Sequence, residues 1–183
     1  MASDRDTLND ALDAFQLASD AEEDNRASAL ADMKFARLGG DEQWTIDGKN
    51  WAQARRVEGR PVITANRMPA FIRQVTNDIR INRPAIKVHP VDSGADIETA
   101  KVIDGLCRHI EYSSDADVAY DTASEHAVTG GFGFFRVDID YAYADTFDKD
   151  LKIRRIANPF SVYGDPKSTA ADSSDWNSSF VVD

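Results

Sequence analysis

The hydrophobic rhythm of this chain changes at Gly130-Gly131. Before that point apolar residues recur mainly every three or four positions, the period of a helix. After it they alternate. Phe135, Val137, Ile139 and Tyr141 fall on one face, with Arg136, Asp138 and Asp140 on the other. Leu151-Lys152-Ile153-Arg154-Arg155-Ile156 alternates again beyond an Asp145–Asp150 turn, so a hairpin is expected. Helices first and strands afterwards predict an α+β fold rather than a doubly wound sheet. The expected architecture is N-terminal helices followed by a small, mostly antiparallel sheet.

The helical part divides further. Residues 5–37 contain neither Pro nor Gly and read as helix, ended by Gly39-Gly40. Their acidic stretch from Ser19 to Ser28 has few apolar residues, which allows a break or a two-helix arrangement there. Residues 41–65 are mixed, with Trp44 and Trp51 on either side of Gly48. Asn66 is a helix cap, Pro69 fits the first turn, and Met68, Phe71, Ile72, Val75 and Ile79 form one stripe opposite Arg73, Asn77 and Arg80. Pro84 is expected to stop that helix, and Ile86-Lys87-Val88-His89 to form a short strand. Residues 95–112 should bury Ile97, Val102, Ile103, Leu106 and Ile110, and Ser114 should cap residues 115–129 with Asp117 completing a capping box. Phe160-Ser161-Val162-Tyr163 and Phe180-Val181-Val182-Asp183 are extended. The second of these opens a strand whose boundary is expected beyond Asp183, so the chain reads as an incomplete domain, truncated at its C-terminus.

Charge narrows the partners. The 183 residues carry a net charge of −11. Residues 1–40 hold nine acids and four bases, residues 41–90 five acids and nine bases, and residues 91–150 fourteen acids and four bases. The long-range field therefore repels phosphate, and only a local patch could bind nucleic acid. No run of apolar residues is long enough for a membrane helix. The N-terminus lacks the plan of a signal peptide, and one cysteine, Cys107, excludes an intramolecular disulfide.

No catalytic group and no metal site emerge from the motifs, and no cofactor is expected. Gly130-Gly131-Phe132-Gly133 closes a helix and opens a strand, the reverse of a phosphate loop. His89, His109 and His126 lack the spacing of a zinc motif. Asp138 and Asp140 share a strand face, and Asp145, Asp148 and Asp150 share a turn, but a solvated face and an acidic turn explain both. No Ser or Cys has a nucleophile signature, and Cys107 in its apolar run is expected to be buried and inert.

The basic stretch is the strongest remaining signal. Arg55, Arg56, Arg60, Arg67, Arg73, Arg80, Arg83 and Lys87 favour arginine, which suits fixed bidentate contacts. Arg73, Arg80 and Arg83 are the candidate subunit-interface or DNA-facing residues. Their partners are either nucleic acid or an acidic surface, belonging to this chain or to a neighbouring subunit; the abundance of acids favours the surface.

Three stretches carry a family resemblance: Arg55–Pro61 followed by Ile63-Thr64-Ala65-Asn66; Asn77-Asp78-Ile79-Arg80-Ile81-Asn82-Arg83-Pro84-Ala85-Ile86-Lys87-Val88; and Ala127-Val128-Thr129-Gly130-Gly131-Phe132-Gly133 followed by Asn158–Pro166. In this order they resemble the N-terminal part of the portal protein of short-tailed, double-stranded DNA bacteriophages. The resemblance spans roughly residues 41–183, while residues 1–40 match only in acidic, helical character. It implies an acidic N-terminal helical segment, 1–40, and a wing-like α+β domain over 41–183.

The resemblance further implies a structural, non-enzymatic subunit of a ring, usually of twelve copies, at one capsid vertex. DNA would pass through its channel without tight binding. Terminase, scaffold, capsid and tail adaptor proteins would be its partners, in a particle assembled in the host bacterial cytoplasm without membrane attachment. Arg80→Glu is then expected to harm assembly of the longer protein more than folding of this chain. The alternative is a free-standing nucleic-acid- or metal-binding α+β domain associated with DNA processing.

Overall fold

The structure is a computed structural model that describes residues 4–37, 41–83, 85–91, 96–170 and 173–182. The expected stops at Gly39-Gly40 and Pro84 lie outside the described residues. The elements run α1 (Asp4–Arg37), β1 (Thr45–Ile46), β2 (Lys49–Asn50), α2 (Trp51–Val57), α3 (Met68–Ile81), α4 (Ile97–Ser113), α5 (Ala116–Gly130), β3 (Phe135–Tyr141), β4 (Lys149–Arg155), β5 (Val162–Tyr163) and β6 (Phe180–Val181). They form an α+β fold whose strands, among the described residues, pair as three antiparallel two-stranded ribbons: β1 with β2, β3 with β4, β5 with β6. The chain divides into two compact units, Met1–Pro69 with Asn158–Asp183, and Ala70–Ala157.

The first unit is built on α1, which is continuous over 34 residues. The break considered between Ser19 and Ser28 does not occur. An i,i+4 pair between Glu22 and Arg26 supports the helix there (2.8 Å), and the end of the chain packs on the same turns. Ala18, Ala29 and Ala36 are its buried residues, small enough for close approach. Phe15 meets Tyr163 and Phe180 edge-on, with ring centroids at 4.9 and 5.4 Å. A β1–β2 hairpin that the sequence pattern did not announce turns at Asp47-Gly48, and the Asn50 side chain then caps α2 through Gln53 N–H.

The second unit is a helical pair against a hairpin. In β3 and β4, Val137 faces Ile153 and Ile139 faces Leu151, the expected hairpin. Ile153 packs with Ala116 and Ala119, joined by Ile110 and Tyr120, to make the small core. Gly131 ends α5 with φ of 89°, a left-handed conformation that favours glycine. Two residues on, a Cβ at Gly133 would lie 1.9 Å from the backbone carbonyl oxygen of Ala123, so only glycine lets the chain pass there.

Several expectations fail for identifiable reasons. Ser114 is the C-terminal cap of α4, its N–H bonded to the carbonyls of Ile110 and Tyr112, so its hydroxyl does not cap α5. The α5 cap position falls on Asp115, in left-handed backbone and without a side-chain bond. Residues 86–89 form no strand, having no partner strand among the described residues. In α4 the buried residue is Ala100, and of the expected stripe Ile110 alone packs on the core; Val102 is 70% exposed, and Ile97, Ile103 and Leu106 are exposed too, because α5 and β4 cover one side of the helix. The α3 stripe is similarly open, with Phe71 62% exposed, while Thr76 is that helix's buried residue. Cys107 is half-buried rather than buried.

Candidate functional site

The basic segment falls in both units. In the second unit, α3 delivers Arg80, and the residues just after it deliver Arg83. Arg80 Nε pairs with Asp121 at 2.9 Å. Arg83 binds Asp121 at 2.9 Å and also Asp117, one helical turn earlier on α5. Two aspartates at i,i+4 repel each other mildly, and the guanidinium between them removes that cost. The Arg83 guanidinium also lies 5.5 Å from the centre of the Tyr120 ring. The Tyr120 hydroxyl donates to Glu111 at 3.2 Å; burial, and then that carboxylate, push the phenol's pKa up. A cavity of about 440 Å³ opens beside this cluster, walled by Ile79, Ile86, Ala123 and Phe135.

Arg73 differs from its two neighbours. It is exposed, and no carboxylate pairs with it among the described residues. So α3 and its end supply two arginines closed by carboxylates of the same unit and one left facing solvent. Same-unit carboxylates are one of the two kinds of partner that the charge pattern allows.

In the first unit Arg56 grips Asp41 with both terminal nitrogens, at 2.6 and 2.8 Å. That contact, helped by Asn50, holds the Asp41 carboxyl below the usual carboxylate range. Arg55 lies 5.4 Å from the centre of the Trp44 ring and donates through Nε to the Pro61 carbonyl. The Arg60 side chain pairs with Glu58, at 3.2 Å and exposed on both sides.

The residue that organises the first unit is not visible in the sequence pattern. Arg26 donates to the backbone carbonyls of Phe160, at 2.7 Å, and Val162, while its guanidinium lies 3.7 Å from the centre of the Tyr163 ring. Glu22 completes the clasp by accepting from Gly164 N–H at 3.1 Å. The only local signal is the Glu22/Arg26 spacing within an otherwise acidic helix.

Three of the five candidate metal-ligating aspartates, Asp138, Asp140 and Asp148, have other partners. Asp138 pairs with Arg136 at 3.2 Å, and Asp140 pairs with Arg154 on the opposite strand. Asp148 accepts from the Thr146 hydroxyl at 3.1 Å. Among the described residues no three His, Cys, Asp or Glu side chains are grouped to hold a metal ion. No helix among them is long and apolar enough to cross a membrane.

Together these features define an α+β polypeptide whose elements are joined by ion pairs and whose α3 and α4 carry exposed apolar faces. The chain belongs to the phage P22-like portal protein family, whose model matches residues 12–183. A portal protein of Acyrthosiphon pisum secondary endosymbiont phage 1 is 28% identical over 172 residues, covering 92% of this chain and 24% of that protein. The chain thus spans about a quarter of that relative's length.

Proposed function

We propose that this chain forms part of the wall of a portal ring at a capsid vertex, a conduit for double-stranded DNA and a platform for terminase and tail adaptors. Family membership over residues 12–183 carries this reading. The net charge of −11 supports it, because a conduit must let DNA slide rather than adhere. The open apolar faces of α3 and α4 support it as well, since such faces need partners in a larger assembly. The part played by the ring is structural.

Arg73, with no paired carboxylate, is the member of the candidate trio best placed to meet another subunit. Arg80, half exposed in its pair with Asp121, contributes about 1 kcal/mol or less to folding. Arg80→Glu is therefore expected to act more on assembly than on folding.

Electron microscopy of the polypeptide expressed from its complete reading frame tests the proposal. Closed rings with a central channel are expected, together with feeble DNA binding at physiological salt. Monomers with tight, steeply salt-dependent DNA binding would overturn it. A marked rise in melting temperature with Mg²⁺ or Ca²⁺ would favour a metal-binding domain instead.

A further inference from the structure

α1 has two distinct faces. On one, Phe15, Glu22 and Arg26 hold the end of the chain, and Ala18 and Ala29 are buried on the same side. A second face, spaced three, four, three and four residues apart, carries Asp10, Asp13, Leu17, Asp20 and Asp24, all exposed. Leu17 is 52% exposed in the middle of those carboxylates.

The first unit also holds a groove with the opposite character. Trp44, Ile46, Trp51 and Ile63 line a cavity of about 720 Å³, together with Arg55, Arg60 and one carboxylate, Glu58. Trp51 is 50% exposed, and Ile46 and Ile63 are open as well. Arg55 has no carboxylate partner among the described residues. The exposed Arg60–Glu58 pair is of the weak, exchangeable kind.

We propose that this groove receives the acidic face of α1 from a second copy of the chain, Leu17 entering between the tryptophans while Asp13 and Asp20 meet Arg55 and Arg60. The two aspartates lie about 10 Å apart along the helix, on either side of the leucine. The same chain cannot make the contact. Gln43 Nε2 donates to the Phe35 carbonyl at 3.0 Å and Asn66 to the Ala36 carbonyl at 2.8 Å, which ties the groove segment to the far end of α1. Leu17 is about 27 Å from that end. The contact is head-to-tail, each copy offering one surface and receiving the other, and repeated contacts of this kind close into rings or run on as filaments. The inference rests on the portal-ring reading and names one of its contacts.

The test uses the 183-residue chain. Sedimentation velocity is expected to show concentration-dependent association. Asp13→Lys/Leu17→Lys/Asp20→Lys, all on exposed positions, should weaken it more than about tenfold. Arg55→Glu/Arg60→Glu should do the same, and mixing the two variants should restore association. In a Cys107→Ser background, Leu17→Cys and Ile46→Cys together should give a disulfide ladder between copies that neither gives alone. The contact is overturned by association unchanged by the helix variant, by a chain that stays monomeric at its highest soluble concentration, or by a groove that binds single-stranded DNA at physiological salt and no second copy. Rings of the longer polypeptide that survive the helix variant would overturn this contact and leave the portal-ring reading standing. Absence of rings from the unaltered longer polypeptide would overturn that reading itself.

Discussion

The two units are held together by different means. The second closes over neighbouring sequence: α4, α5 and the β3–β4 hairpin follow one another, and Ile153 seals them against Ala116 and Ala119. The first closes over distance, because residues 158–182 return to a helix begun at residue 4, and Arg26 reaches carbonyls 134 and 136 positions away. Their arginines differ as well. Arg80 and Arg83 are engaged by α5 carboxylates, whereas Arg55 and Arg60 border an open groove. Arginine acts as internal mortar in both units, through Arg26 and Arg56 in the first and Arg80 and Arg83 in the second, while Arg55 and Arg60 border the first unit's groove and Arg73 faces solvent in the second.

The comparison can be broken at its strongest point first. Ile153→Ala removes the hub of the second unit's core and is expected to cost about 3 kcal/mol, measured by urea unfolding. Backbone protection should be lost in 116–126 and 149–155 before it is lost along α1. Gly133→Ala forces the backbone away from the Ala123 carbonyl and should cost about 2 kcal/mol in the same assay.

Arg26→Met tests the first unit. Loss of charge-assisted bonds to two carbonyls, with Glu22 left behind, should cost about 2 kcal/mol. Hydrogen exchange should rise at residues 162–164 and 180–181 while the second unit keeps its protection. A uniform change over both units would contradict the separation drawn between them.

The smallest effect concerns acid. Hydrogen bonds from Ser168, Thr169 and Ala170 lower the pKa of Asp175 from an ordinary 3.8 to about 2. A carboxyl lowered on folding stabilises the native loop fully above the unfolded pKa, and that contribution disappears as pH falls through the folded one. Amide signals of Thr169 and Ala170 should therefore shift between about pH 4 and pH 2, with little change in global stability.

What the sequence revealed follows the same division. The α3 helix, the end of α5 at Gly130 and the β3–β4 hairpin were legible because each depends on local spacing and local capping. The continuity of α1 through Ser19–Ser28 was not, since the groups that settle on Arg26 and Glu22 come from residues 160–164. Ser114 was misassigned by a single position, as two helices meet there and its N–H closes the earlier one. The exposure of Val102 and Leu106 was hidden because a helical stripe reveals that a face is apolar, not whether anything covers it. At the candidate site, acidic partners for arginine could be foreseen as a class, but the choice of Asp117 and Asp121 depends on how α5 lies beside the end of α3.

The most direct test of the contrast is one pair of variants, each examined by thermal melting and by sedimentation. Arg83→Glu should lower the melting temperature by several degrees, as three carboxylates then crowd one place, and leave self-association intact. Arg60→Glu should leave the melting temperature nearly unchanged and weaken self-association. Melting and association that move together in both variants, or in the reverse assignment, would contradict the distinction between the internal Arg83 and the available Arg60.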